Sequence, residues 1–101
     1  MAEWVAVCRF DELTSGRGRS YEVAGLTLAL IRDGEEIVAL SDRCPHAGGS
    51  LGQGWVEDGE IVCPLHQWRF KLIDGRCSTM RGENVHRFQA DLREGMVWVR
   101  V

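Results

Sequence analysis

The sequence predicts an all-β fold made mainly of antiparallel strands. Short apolar runs rich in Val, Ile and Leu are separated by Asp-Gly pairs at 33–34, 58–59 and 74–75, where positive φ costs little. No stretch sustains the helical period that a long amphipathic helix would show. At 101 residues the chain is too short to divide between two cores, so residues 1–101 are read as a single domain.

Taken in order, Trp4 to Cys8 is the first expected strand, and Phe10-Asp11-Glu12-Leu13 one helical turn. The Gly-, Ser- and Arg-rich stretch from Ser15 to Ser20 reads as a loop. Tyr21 to Ala24 and Leu26 to Arg32 read as strands, the second placing Leu26, Leu28 and Leu30 on one face. The Asp33-Gly34 turn returns the chain along Ile37 to Ser41. Asp42 to Gly54 is a loop holding four glycines, at 48, 49, 52 and 54. A hairpin follows, Trp55-Val56-Glu57 against Glu60-Ile61-Val62, turned at Asp58-Gly59. Its two-residue turn pairs Glu57 with Glu60, Val56 with Ile61 and Trp55 with Val62, and carries Cys63 back opposite Gly54. Trp68 to Ile73, Val85 to Gln89 and Met96 to Val101 complete the strands, the last with Val97, Val99 and Val101 on one face.

Composition narrows the function. Hydrophobic residues at 45% and charged residues at 27% are ordinary globular usage. Twelve Lys and Arg against fifteen Asp and Glu leave a net charge of −3, which disfavours nucleic acid as a partner. The longest apolar run, Val23 to Ile31, falls short of the roughly 18 residues of a membrane span. Met1-Ala2-Glu3-Trp4 lacks the pattern of a secretory signal. A soluble cytoplasmic protein with no membrane partner is the expectation.

The four cysteines differ in their surroundings. Cys8 sits in an apolar run as a small hydrophobe, and Cys77 follows Asp74-Gly75-Arg76 as a spectator thiol. Cys44 and Cys63 each precede one of the chain's two prolines and lie within three residues of a histidine. The pattern is Cys44-Pro45-His46, then sixteen residues, then Cys63-Pro64-Leu65-His66. The Asp58-Gly59 hairpin lays the second loop beside the first, so two thiolates and two imidazoles can converge on one centre. Such a donor set suits a tetrahedral zinc or an iron–sulfur cluster.

Cys-x-His, a gap of sixteen, then Cys-x-x-His resembles the Rieske 2Fe-2S motif. The resemblance covers most of the chain and implies a Rieske-type antiparallel sandwich of three small sheets, with a cluster-binding subdomain at one tip, about 42–75. It implies one 2Fe-2S cluster per chain, held by Cys44 and Cys63 on the inner iron and by His46 and His66 on the outer iron. Neutral imidazoles donate less charge than thiolates, which raises the potential above that of an all-cysteine ferredoxin. High-potential members of the family join an extra cysteine from each loop in a disulfide, and here those positions are Gly49 and Leu65. They also place a serine and a tyrosine after the second loop, where this chain has Trp68 and Phe70. A potential near the low end of the Rieske range, about −150 mV, is therefore expected.

The implied function is one-electron carriage, with no catalytic residues and no enzymatic activity of the chain's own. An NAD(P)H-dependent reductase would be the electron donor and the terminal oxygenase of a ring-hydroxylating dioxygenase system the acceptor. The small subunit of an assimilatory NAD(P)H nitrite reductase is the alternative. A zinc-stabilised interaction module without redox function is the competing reading from another class; zinc sites more often pair like residues at short spacing. Asp42, Glu57, Asp58 and Glu60 around the loops are either solvated turn residues or charges that complement a basic partner. Trp55, Trp68 and Trp98 are expected to fill the core, and His86 to lie at or near the surface.

Overall fold

A computed structural model describes residues 3–45 and 48–101 of the chain. Among these residues nine strands form one hydrogen-bonded succession: β1 (Trp4–Arg9), β2 (Arg17–Val23), β3 (Leu26–Asp33), β4 (Glu36–Ser41), β5 (Trp55–Glu57), β6 (Glu60–Val62), β7 (Arg69–Lys71), β8 (Arg87–Arg93) and β9 (Met96–Arg100). Their spatial order is β1-β9-β8-β4-β3-β2-β5-β6-β7, with every strand pair antiparallel. Two seams in this order are narrow. β4 meets β8 through Ala39↔Phe88 and Leu40↔Arg87 only, and β2 meets β5 through Arg17↔Trp55 alone. The succession thus divides at these seams into three three-stranded sheets joined edge to edge, as the family resemblance implies.

The middle sheet, β2-β3-β4, is buried on both faces, which explains the sequence of β3. Ala29 and Ile31, with Val38 and Leu40 of β4, face a core shared with Leu51, Ile61, Phe70, Leu72, Val85 and three cysteines, Cys44, Cys63 and Cys77. Leu28 and Leu30, with Ala39, face the opposite core, made with Cys8, Leu13, Val23, Val97 and Val99. A strand covered on both sides reads as a continuous apolar run rather than an alternation. The expected Leu26-Leu28-Leu30 face is accordingly shortened: Leu26 is 44% exposed, because it starts its strand beside the Ala24-Gly25 turn.

Other boundaries shift for local reasons. β2 begins at Arg17, inside the stretch expected to be loop, because Arg17 and Gly18 pair with Arg32 and Ile31. Gly18 is needed there: a Cβ would lie 2.6 Å from the Leu51 carbonyl oxygen. Phe10–Glu12 forms the expected short helical turn, a 3-10 helix, and a second one at Leu51–Gln53 lies within the stretch read as loop. The expected strand from Trp68 to Ile73 is reduced to Arg69–Lys71, since Gly75 N donates to the Lys71 carbonyl and turns the chain early. The expected Val85–Gln89 strand runs instead from Arg87 to Arg93, ending in a two-residue turn at Glu94-Gly95 with φ of 49° and 80°. Ala24-Gly25, Asp58-Gly59 and Glu94-Gly95 share this left-handed pair, whose twist suits tight hairpins.

Ile31 and Leu30 are fully buried on opposite faces of β3. Ile31→Ala and Leu30→Ala should each cost about 2–5 kcal/mol, whereas Leu26→Ala should stay within about 0.5 kcal/mol. Chemical unfolding monitored by circular dichroism checks this, as a lower midpoint with an unchanged slope.

Candidate cluster-binding site

Two loops at one end of the middle core hold the predicted site residues. The first leaves β4 and is closed at its root by an isolated bridge between Arg43 and Ser50. Inside it, Cys44 N donates to the Gly49 carbonyl at 2.8 Å and Gly48 N to the Cys44 carbonyl at 2.9 Å. The second loop follows β6, where the predicted register is observed: Trp55↔Val62, Val56↔Ile61 and Glu57↔Glu60. Cys63 N donates to the Trp68 carbonyl at 2.8 Å, which closes this loop over residues 64–67.

Cys44 and Cys63 are both fully buried, and their thiols lie close enough to act on each other. Burial raises the Cys63 pKa, the Leu65 backbone N–H donated to its sulfur opposes the rise, and the Cys44 thiol adds to it. The peptide N–H aimed at this sulfur is set to hold negative charge once a metal has displaced the proton. His66 is exposed, on the outer side of the second loop, with a left-handed φ of 62°. His46 lies outside the described residues. Of the four predicted ligands, the structure therefore brings Cys44 and Cys63 together and places His66 at the surface beyond them. Among the described residues no group of three or more potential metal ligands is gathered.

Gln67, next to His66, also has positive φ, 57°. Two successive left-handed residues other than glycine cost roughly 1–2 kcal/mol each. This turn is what returns Trp68 to cap Cys63, and nothing in the residue type signalled it.

Of the four acids read as solvated turn residues or docking charges, Asp58 is exposed in its turn, whereas the other three are engaged within the fold. Asp42 is buried, accepting hydrogen bonds from Ser20 Oγ at 2.8 Å, Ser50 Oγ at 2.9 Å and Gly52 N at 2.8 Å. Glu57 and Glu60 both pair with Arg69, and Glu60 also accepts from Ser78 Oγ. Asp42, Glu57 and Glu60 thus make contacts within the fold, with Glu57 still partly exposed. The Ser78–Asn84 segment, which has no proline, is laced to β7: Ser78 N donates to the Arg69 carbonyl, and Arg69 N to Thr79 Oγ1. Cys77 is buried, with Met80 N donating to its sulfur, and Cys8 is buried in the other core. Trp68 is half-buried against the middle core, Trp55 and Trp98 are also only half-buried, and His86 is exposed, edge-on to Phe88.

A small antiparallel β fold with two buried cysteines offered from adjacent loops, each loop carrying a histidine, defines a class of cluster- or metal-binding domains. The Rieske [2Fe-2S] domain pattern matches residues 3–92, and the chain belongs to that family. Membership implies a 2Fe-2S cluster. The anthranilate 1,2-dioxygenase ferredoxin subunit of Burkholderia cepacia is 32% identical over 103 residues, which span 100% of this chain and 94% of that protein. Some relatives are much longer: the chain spans 16% of apoptosis-inducing factor 3 of Homo sapiens and 24% of cholesterol 7-desaturase nvd of Drosophila melanogaster. Among solved structures, a chain assigned as the NADH-dependent nitrite reductase small subunit of Mycobacterium tuberculosis superposes with a TM-score of 0.92 at 26% identity, covering 100% of this chain and 96% of that one. The ferredoxin of carbazole 1,9a-dioxygenase from Nocardioides aromaticivorans superposes with a TM-score of 0.88 at 28% identity, covering 95% of each chain.

The residues present fit the cluster. Two buried thiols meet, a backbone N–H points at one of them, and the space beside it is kept open by glycine: a Cβ at Gly49 would lie 2.8 Å from Cys63 Sγ and 3.2 Å from Leu65 Cβ. Gly49→Ala is therefore expected to lower the iron and acid-labile sulfide retained per chain by at least half, whereas Gln67→Gly, which relieves a left-handed side chain, should retain both and raise the unfolding midpoint. Parallel iron assays and unfolding curves on the two variants check this.

Proposed function

We propose that the chain is a one-electron carrier in which Cys44 and Cys63 hold the inner iron of a 2Fe-2S cluster and His46 and His66 the outer iron. The meeting of the two buried thiols, each from a loop that also carries a histidine, is the observation that supports this most strongly. When bound, the cluster supplies a reversible one-electron couple. The chain's own residues bury the thiolate side in the middle core and exclude water from it, while exposed His66 marks the side on which a partner can approach.

The donor in this reading is an NAD(P)H-dependent reductase and the acceptor a terminal oxygenase, and no substrate is converted on the chain itself. Likeness to the dioxygenase ferredoxins over nearly their whole length supports it. The likeness to a nitrite reductase small subunit favours the second reading, in which the acceptor is a nitrite reductase. In either setting a cytoplasmic location fits: no helix among the described residues is long and apolar enough to cross a membrane.

In this reading the potential lies near the low end of the family's range, about −150 mV. Gly49 and Leu65 face each other where high-potential members have their cysteine pair. Phe70 is fully buried in the middle core, and neither it nor Trp68 has a hydroxyl to offer a cluster sulfur. A redox titration followed by visible absorbance and electron paramagnetic resonance should give one electron per chain. His66→Cys should lower the potential in protein that keeps its cluster. An unchanged potential in that variant would contradict the role assigned to His66.

A further inference from the structure

Asp42 stands apart from every other acid in the molecule. It is the buried charged residue among the described residues, 8% exposed, and no cation pairs with it. A buried carboxylate normally needs an ion partner or a dense set of donors. Here the donors are all neutral, and they come from two segments far apart in sequence: Ser20 of β2, and Ser50 and Gly52 at the start of the second 3-10 helix. The backbone reinforces the junction, since Asp42 N donates to the Thr27 carbonyl and Leu51 N to the Asp42 carbonyl. The space is shaped for this purpose. A Cβ at Gly52 would lie 2.6 Å from Ser20 N and 2.8 Å from Asp42 Oδ1, so any larger residue would push the donors away.

Resting on the proposed function, we propose that Asp42 is a positioning residue for the cluster: its carboxylate locks the root of the first ligand loop and keeps one fixed negative charge there, which would lower the potential of a bound cluster. The two roles have separable chemistry. The lock needs acceptor atoms at the junction of the two segments. The electrostatic role needs the charge, which neutral hydroxyl and amide dipoles screen without cancelling. Asp42 precedes Cys44 by two residues and is anchored at the root of the same loop, so its charge is fixed close to that loop's cysteine. A negative charge near a redox centre disfavours the added electron.

Two substitutions move the potential in opposite directions if this is right. Asp42→Asn keeps an acceptor for Ser20 and Gly52 but removes the charge, so at fixed ambient potential the reduced-to-oxidised ratio should rise about tenfold, about 59 mV for a one-electron couple. Ser50→Ala keeps the charge and removes a donor that screens it, so the ratio should fall. Simple loosening of the loop would shift both variants the same way. Asp42→Ala should in addition speed hydrogen exchange at the Leu51 and Gly52 amides, and Asp42→Asn should largely spare them. A ratio within threefold of wild type in iron-loaded Asp42→Asn, or shifts of one sign in both variants, would overturn the proposal alone. Wild-type protein that takes up no iron would overturn the electron-carrier reading beneath it, and with it the redox half of the proposal.

Discussion

The contact between the Cys44 and Cys63 thiols sets the terms for the rest of the molecule. Two sulfurs nineteen positions apart in sequence meet in the interior only if two loops are laid side by side and held there. The β5–β6 hairpin supplies the alignment. Its two-residue turn fixes which residue of each strand faces which, and a slip of one position would turn Val62 and its neighbours to the wrong side. The glycines complete it: Gly49 leaves room beside the sulfur, and Gly54 lets the first strand of the hairpin pass against the Val62 carbonyl.

The demands of that contact explain why the middle sheet is buried on both faces. A loop pair that must stay open at its tip contributes little packing of its own. It is carried on a core formed by one face of β3 and β4, while the other face packs on the β1-β9-β8 sheet. The seams between the three sheets are only one and two residue pairs wide, so the sheets are coupled chiefly through side-chain packing. The site end can then differ in its electrostatics from the base without disturbing it.

Much of this was legible in the residues, for identifiable reasons. The candidate ligand set stood out because both prolines and two of the three histidines gather at two of the four cysteines. The β5–β6 register followed from Asp58-Gly59, whose left-handed pair leaves one alignment for a tight hairpin. The Leu26 face did not survive because period-two reasoning presumes one wet face, whereas β3 is covered on both. Asp42 was read as a surface acid because its donors, Ser20 and Ser50, lie 22 and 8 residues away in the sequence. The signal present was a carboxylate only two positions beyond the apolar run Val38-Ala39-Leu40, directly after Ser41 ends β4. The left-handed Gln67 had no signal, since its conformation is imposed by closure of the loop on Cys63.

Composition of the bound metal centre tests the account most directly. Protein isolated without oxygen should contain two irons and two acid-labile sulfides per chain, about the stoichiometry of one Rieske cluster. It should give an electron paramagnetic resonance signal only after reduction. One zinc per chain, with neither sulfide nor a reduced-state signal, would contradict it.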